Sequence, residues 1–360
     1  MMADRMGWGG HTLVTAPRPV RETCVGSTST TVRVATRRGI RVFPDSALGR
    51  VRRMGDQGTL DVAVRTEAVL GVGPTWDSLY SSLLWVDALS SRVFRFTPGP
   101  DTNASLDMPQ HVGAAKPRTV GGLVMNLRDG VALVDRDGSR RWLVYWAREG
   151  MRGTDAGVDP AGRLWASTSR YEKNDGRKSG KERKESAQQA QQLGGWLTQV
   201  EPDGSARVVV DGVGMGSGVA WSPDGRLLYY VDSPTRRVDV LVFDPTTGAA
   251  GRRRPLCEIE PEAGWPAGVC VDSDGCVWVA LWDGWAVRRY TPEGRLDREL
   301  AVPVARPTAC CFGGDDHSDL YVTTARAGLS PEVLAEQELA GSLLVITNVG
   351  NGLATPAFAG

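Results

Sequence analysis

A four-residue turn that ends in glycine recurs along most of this chain of 360 residues. Where Asp or Ser stands first, its side chain can bond back to the turn backbone; Pro presets φ, and Gly accepts a positive φ. Turns of this kind join antiparallel strands in hairpins. They occur at 135–138, 159–162, 201–204, 222–225, 272–275 and 291–294, with a longer version at 244–248. The chain is therefore predicted to consist of many short hairpins.

The spacing of these turns predicts how the hairpins are arranged. Where no insertion intervenes, successive turns start 19 to 28 residues apart. Two hairpins then make a unit of roughly 40–50 residues, which is the period of a four-stranded propeller blade. Residues 65–360 are therefore predicted to form an all-β, six-bladed β-propeller with four-stranded blades. A pair of β-sandwiches is the alternative, but the even spacing without a linker favours one closed ring.

Two segments depart from this pattern. Residues 1–60 are rich in Arg, Thr, Ser and Gly and show no sustained period. We expect them to be an N-terminal extension, either a disordered tail or a transit peptide. Residues 173–192 carry six basic and three acidic side chains and no large apolar residue. Because such a segment has little to bury, it is expected to be a charged loop inserted into the propeller.

The composition of the chain indicates which partners and which cellular compartment to expect. The chain has 42 Lys and Arg residues and 42 Asp and Glu residues. This balance of charge gives no overall electrostatic attraction to nucleic acid or to an anionic membrane. No run approaches the ~20 apolar residues of a membrane-spanning helix. The six cysteines show no zinc-type spacing, which suits a reducing compartment. We expect a soluble cytoplasmic protein, or an organellar one if residues 1–60 act as a transit peptide.

Seven segments, taken in order, resemble the regucalcin/gluconolactonase family, also called senescence marker proteins. They are L-G-V-G-P-T-W-D (70–77), L-L-W-V-D (83–87), G-V-D-P-A-G-R-L-W-A (157–166), G-V-A-W-S-P-D-G-R-L-L-Y-Y-V-D-S-P (218–234), W-V-A-L-W-D-G (278–284), R-P-T-A-C-C-F-G-G (306–314) and L-Y-V-T-T-A-R (320–326). The resemblance covers roughly residues 65–360. It implies a β-propeller that hydrolyses sugar lactones at one divalent metal ion on its axis, where Ca, Zn, Mg or Mn can serve.

The resemblance also implies three metal ligands, and this chain departs from all of them. The family has a Glu in a G-E-G/S-P motif, an Asn in an S-N-G motif, and an Asp in a P-D-G motif that is also thought to act as a base. The matching positions here are Val72, Ser217 and Ala267. Hard cations prefer oxygen ligands, and two of these side chains are hydrocarbon. We therefore predict no metal in the family's manner and no other cofactor.

The substrate-side residues implied by the resemblance are better preserved. The family's sugar-contacting motif R-x-N-D-G is present as Arg152 to Asp155, with Thr154 in place of Asn. Glu172, seventeen residues after Asp155, stands at the spacing of an acidic substrate contact. All four are candidate substrate-binding residues, and Asp155 and Glu172 are the candidates for proton transfer. The alternative is that Arg152 and Asp155 form a surface ion pair and that Glu172 is an ordinary loop charge.

Three functional hypotheses follow. The first is a small-molecule-binding pseudoenzyme or diverged member, whose ligand is sugar-lactone-like or anionic. The second is an active lactone hydrolase with an unconventional metal site. The third is a metal-free acid–base enzyme that uses Glu172 or Asp155. A Ser-His-Asp arrangement has no support, because the histidines lie far apart in the sequence, outside the motifs that match the pocket; they are His11, His111 and His317.

Overall fold

The computed structural model describes residues 58–171 and 194–360, together with the backbone of two strands at 31–36 and 39–44. It contains six four-stranded antiparallel sheets and one separate two-stranded hairpin. The sequence prediction of a six-bladed, all-β propeller is confirmed. The two-stranded hairpin lies within the N-terminal extension, and the sequence pattern did not predict it.

The strands follow one another along the chain in blade order. The N-terminal strands are β1 (Thr31–Thr36), β2 (Gly39–Pro44) and β3 (Thr59–Val64). Blade 1 has β4 (Gly71–Asp77), β5 (Ser82–Asp87), β6 (Arg92–Thr97) and β7 (Thr102–Asp107). Blade 2 has β8 (Val112–Pro117), β9 (Leu123–Leu127), β10 (Gly130–Val134) and β11 (Arg140–Tyr145). Blade 3 has β12 (Met151–Val158), β13 (Leu164–Arg170), β14 (Gly195–Val200) and β15 (Ala206–Val213).

The second half of the ring repeats this order. Blade 4 has β16 (Gly216–Trp221), β17 (Leu227–Asp232), β18 (Arg237–Phe243) and β19 (Ala250–Glu258). Blade 5 has β20 (Trp265–Val271), β21 (Val277–Trp282), β22 (Ala286–Tyr290) and β23 (Leu296–Ala301). Blade 6 has β24 (Pro307–Gly313), β25 (Asp319–Thr324) and β26 (Leu343–Thr347), and β3 completes it. A short helix, α1 (Pro331–Glu336), precedes β26 and is capped by the Ser330 side chain.

Blade 6 closes the ring with strands from both ends of the propeller sequence. β3 pairs with β26 as its outermost strand, with Thr59 opposite Thr347. The innermost strand β24 packs against β4 of blade 1. Strand β3, which begins at Thr59, thus belongs to the last blade, although it precedes the segment from residue 65 onwards that the sequence pattern assigned to the propeller. The pattern missed β3 because this outer strand is half exposed and has no clean apolar alternation.

The glycine-ended turns behave as the sequence predicts. Their glycines all have positive φ, between 65° and 88°. In the first of them, the Gly138 amide donates to the Asp135 carbonyl at 3.0 Å. Every one of these turns joins the first to the second or the third to the fourth strand of a blade. They therefore share one end of the propeller, here called the turn end; the opposite end, where the inner strands begin, is the mouth.

All six inner strands have a β-bulge near the mouth. The register of each against its neighbour shifts there, between residues 72 and 75, 112 and 114, 153 and 156, 216 and 218, 266 and 269, and 307 and 309. A bulge bends its strand and re-aims the side chains at that point. Because the bulges recur at the same level in every blade, they form a ring around the channel.

Small residues let the inner strands approach one another closely around the axis. A Cβ atom added to Gly268 would overlap Ala309 of the next blade. A Cβ atom at Gly113 would overlap the carbonyl of Thr154 in the same way. The channel is therefore narrow at the level of the bulges.

The last residues of the chain cross the turn end. Gly352 pairs with Asp272 of blade 5, and the Ala359 amide donates to the Gly162 carbonyl of blade 3 at 2.9 Å. Phe358 is fully buried beside Arg118 of blade 2. This C-terminal segment therefore covers the channel at the turn end.

In the described part of the chain, no helix has the length and apolar character needed to cross a membrane.

Candidate functional site

A cavity of about 340 Å³ lies in the propeller channel, at the level of the ring of bulges and on its turn-end side. Inner strands from all six blades contribute to its wall, and residues 353–356 of the C-terminal segment line it as well. Most of the wall is apolar. The side chains in it that can ionise are Lys116, Asp155, Cys270, Cys310 and Cys311.

The three positions where the family resemblance implies metal ligands lie in or beside the bulges of blades 1, 4 and 5. Val72 is half-buried and Ala267 is buried, and neither offers a donor atom. The Ser217 hydroxyl lies 2.7 Å from the Ser233 hydroxyl, which donates to the Pro266 carbonyl at 2.6 Å. The one hydroxyl at these positions is therefore already part of a hydrogen-bonded link between blades 4 and 5.

This donor set does not fit a hard divalent cation. Calcium takes six to eight oxygen ligands, and carboxylates supply most of the charge in its protein sites. Among residues 58–171 and 194–360, no three His, Cys, Asp or Glu side chains cluster so as to hold a metal ion. Val72, Ser217 and Ala267 together contribute one neutral oxygen.

Thr154 and Asp155 lie inside the bulge of blade 3, which a buried asparagine supports. The Asn126 amide donates to the carbonyls of Thr154 at 3.1 Å and Asp155 at 3.2 Å. The Thr154 hydroxyl and one carboxylate oxygen of Asp155, Oδ1, are buried and have no hydrogen-bond partner among the described residues. This is uncommon, because buried polar atoms normally have partners.

Lys116 enters the same cavity from the inner strand of blade 2. Its Nζ donates to the Thr75 hydroxyl at 2.5 Å, and the residue is 7% exposed. Burial lowers the pKa of Lys116, and the negative charge of Asp155 opposes that change. Burial raises the pKa of Asp155, and the Lys116 charge opposes this in turn. The sequence analysis missed Lys116, although a lone cation in the otherwise apolar strand V-G-A-A-K-P was a signal for it.

Arg152 and Asp155 do not form the surface ion pair considered as an alternative. The Asp155 Oδ1 is buried and unpaired, whereas the Arg152 Nε donates to the Ser169 hydroxyl at 3.4 Å. In the described part of the chain, Arg152 has no carboxylate partner. Burial lowers the pKa of its guanidinium. Arg152 is a half-buried cation at the mouth.

His111 is a second residue that the sequence analysis missed. Its Nε2 lies 3.0 Å from the Gly153 carbonyl, which only accepts, so Nε2 carries the proton. Burial and the nearby Arg152 charge lower the pKa of His111 to about 4. A neutral imidazole therefore stands beside the substrate motif. Nothing in the sequence links position 111 to residues 152–155, because only the packing of blade 2 on blade 3 brings them together.

Glu172 and the charged segment 173–192 lie outside the described residues. The residues on either side of them are placed at the mouth: the Tyr171 amide donates to the Gly150 carbonyl at 2.8 Å, and Arg148 donates to the Gly194 carbonyl at 3.3 Å. The role of Glu172 stays a prediction.

Comparison with known proteins shows the family of this chain. A sequence profile described as "SMP-30/Gluconolactonase/LRE-like region" matches residues 70–326. Regucalcin of Danio rerio is 31% identical over 296 residues, which cover 81% of this chain and 95% of that protein. The 6-deoxy-6-sulfogluconolactonase of Pseudomonas putida is 33% identical over 306 residues, covering 84% of this chain and 99% of the relative.

Solved structures show the same fold. The calcium-binding protein regucalcin of Agrobacterium tumefaciens matches with a TM-score of 0.75 at 23% identity, over 84% of this chain and 97% of that one. A gluconolactonase of Xanthomonas campestris matches with a TM-score of 0.62 at 21% identity, over 82% of this chain and 90% of that one. The family profile and the curated relatives agree along most of the propeller. The chain therefore belongs to the SMP-30/gluconolactonase/LRE-like family.

Proposed function

We propose that this protein binds a small molecule in its propeller channel and has lost the metal-dependent lactone hydrolysis of its family. The observation that carries this proposal is the donor set at Val72, Ser217 and Ala267. Its single hydroxyl is already hydrogen-bonded to Ser233, and its other two side chains are hydrocarbon. Without carboxylates, no divalent cation is held there to polarise a lactone carbonyl or to activate water.

The proposed ligand is anionic or resembles a sugar lactone. Arg152 supports an anion, because its guanidinium faces no carboxylate in the described part of the chain. The Thr154 hydroxyl and Asp155 Oδ1 support a polyhydroxy ligand, because each is a buried polar atom that lacks a partner. The name of the Pseudomonas relative, 6-deoxy-6-sulfogluconolactonase, refers to a sulfonated sugar lactone, and a sulfonate is an anion.

The decisive experiment restores the family's ligands. The wild-type protein should contain no stoichiometric metal and should not hydrolyse a chromogenic lactone faster when Ca²⁺, Zn²⁺ or Mn²⁺ is added. The triple variant Val72→Glu, Ser217→Asn, Ala267→Asp should gain close to one equivalent of metal by elemental analysis. A matched control is Val120→Glu, which adds a carboxylate at a 59% exposed position away from the channel.

The wild-type result can overturn the proposal. Wild-type protein that carries near one equivalent of metal and shows metal-stimulated turnover is a hydrolase with an unconventional metal site. Ligand binding is followed by thermal shift with lactones, aldonates and sugar sulfonates. Arg152→Gln should weaken binding of the anions about tenfold or more, as expected when a charge-assisted hydrogen bond is lost.

One observation favours a second candidate, a metal-free acid–base enzyme. Burial raises the pKa of Asp155, which makes its carboxyl group a better proton carrier near neutral pH. Lactone hydrolysis that survives EDTA and is lost in Asp155→Asn would favour this candidate over a binding protein.

A further inference from the structure

Lys116 is unusual in this chain even before its position is considered. Apart from Lys173, Lys178, Lys181 and Lys184 in the charged segment, it is the only lysine in the sequence; every other basic side chain among the 42 is arginine. Arginine keeps its proton under all ordinary conditions, whereas a lysine can lose it and become a nucleophile. Outside the charged segment the sequence therefore has one lysine amine, and that amine is buried in the channel.

The geometry places this amine and a carboxyl group around the same space. Lys116 and Asp155 both line the channel cavity. The Nζ atom of Lys116 donates to Thr75, and the described residues include no ion pair between Lys116 and Asp155. Asp155 Oδ1 is buried and unpartnered. A small molecule that enters the cavity can therefore meet an amine and a carboxyl group that do not neutralise each other by contact.

The surroundings favour the uncharged forms of both groups. The apolar part of the wall includes Val219, Val269 and Phe312. Burial lowers the pKa of Lys116 and raises the pKa of Asp155, so it acts towards a neutral amine and a protonated acid, while the charge of each group opposes the change in the other. A neutral amine beside a carboxylic acid is the pair that imine formation requires.

We propose that the channel is a carbonyl-binding site in which Lys116 captures a small aldehyde or ketone as an imine. The Nζ lone pair bonds to the carbonyl carbon while Asp155 protonates the carbonyl oxygen. The nitrogen then loses a proton to the Asp155 carboxylate, which returns it to the departing hydroxyl. Water leaves as the C=N bond forms, and the resulting iminium returns its proton to the Asp155 carboxylate, so amine and carbonyl give imine and water. The proposal rests on the proposed function only in requiring that the channel admit a small molecule.

Reductive trapping of the intact protein tests this directly. The protein is incubated with glyoxylate or with glycolaldehyde in the presence of cyanoborohydride, and the alkylated lysines are mapped by mass spectrometry over time. Glyoxylate is the anionic probe and glycolaldehyde the neutral one. Lys116 should be alkylated first and at least tenfold faster than any of the four lysines at 173–184. Labelling of Lys116 no faster than those four, or no labelling of it, overturns the proposal.

Two variants separate the chemistry from a change in folding. Lys116→Arg keeps the cation but cannot form an imine, so the rapid phase should vanish while the four other lysines label as before. Asp155→Asn should slow trapping at Lys116 at least tenfold without changing the rate at the other four. If Lys116→Arg does not fold, the wild-type time course still decides. A protein that binds lactones or sugar sulfonates by thermal shift but is not trapped refutes the imine site alone.

Discussion

The Sγ atoms of Cys270 and Cys310 lie 3.6 Å apart on the inner strands of blades 5 and 6. A disulfide needs about 2.05 Å between its sulfur atoms, so a small shift of either side chain joins the two blades. Both residues are free in the structure. Burial raises the pKa of Cys270 well above its usual range, so the reactive thiolate is scarce at neutral pH. We expect diamide to form this disulfide slowly at pH 7 and faster at pH 9.

Mass spectrometry under non-reducing conditions measures the loss of two hydrogen atoms, which diamide takes up, and identifies the linked peptides. Cys270→Ser should abolish the product, whereas Cys257→Ser should leave it unchanged, because Cys257 lies on the outer strand of blade 4. Equal thiol loss in both variants would contradict the prediction.

Thr75→Val should destabilise the fold. The Thr75 hydroxyl accepts the hydrogen bond from Lys116, and its loss leaves a buried amine without that partner. The cost should be about 1 to 3 kcal/mol in the free energy of unfolding, measured by urea titration. Thr102→Val is the matched control, because Thr102 is an exposed residue of strand β7. A Thr75 variant as stable as the control would show that Lys116 finds another partner.

Stability should fall as the pH is lowered, in part through His111. The pKa of His111 is about 4 in the folded protein against 6.5 for an ordinary histidine. Between these two values the unfolded chain takes up a proton at this residue and the folded protein does not. The contribution of the His111 titration to the free energy of unfolding is therefore fully present above about pH 6.5 and is lost as the pH falls to about 4.

The difference in free energy of unfolding between pH 7 and pH 4 should shrink by roughly 2 to 3 kcal/mol in His111→Gln, since one pKa unit corresponds to about 1.4 kcal/mol. Glutamine can keep the hydrogen bond to the Gly153 carbonyl, which separates the titration from the loss of a contact. Identical pH profiles for the two proteins would rule out the role of His111.

Gly268→Ala should destabilise the ring. Its added Cβ atom would overlap Ala309 on the neighbouring inner strand, and overpacking of this kind costs about 1 to 3 kcal/mol. Gly251→Ala on the outer strand β19 is the control, because a Cβ atom there meets nothing within 4 Å. Thermal unfolding should show a lower Tm for the first variant and no loss for the second. Equal Tm values would mean that blades 5 and 6 can separate slightly at no cost.

The fold was predictable because its signals are local. Each turn is encoded by four adjacent residues, and the glycines of those turns all adopt the positive φ that was expected of them. Strand β3 was not predictable in this way. Its partner β26 lies at the far end of the propeller sequence, and its exposed side chains carry no clear alternation.

The site was only partly predictable, for the same reason. Thr154 and Asp155 became candidates because they belong to one short motif, and the structure places both inside a single bulge. Lys116 and His111 lie on or just before the inner strand of a different blade, and they meet that motif only when blades 2 and 3 pack together. Contacts between blades form only when the ring closes, so no fixed spacing in the sequence indicates them.

The pairing of β3 with β26 has a consequence for biosynthesis. The Thr347 hydroxyl donates to the Thr59 carbonyl across a separation of 288 residues, so the two strands of blade 6 leave the ribosome far apart in time. A nascent chain can build blades 1 to 5 in turn, but β3 stays without its partner until β26 has emerged. Long-range pairing of this kind is slow and leaves strand edges exposed in the meantime. Completion of the channel, and of any chemistry in it, therefore waits for the pairing of two strands that are synthesised far apart in time.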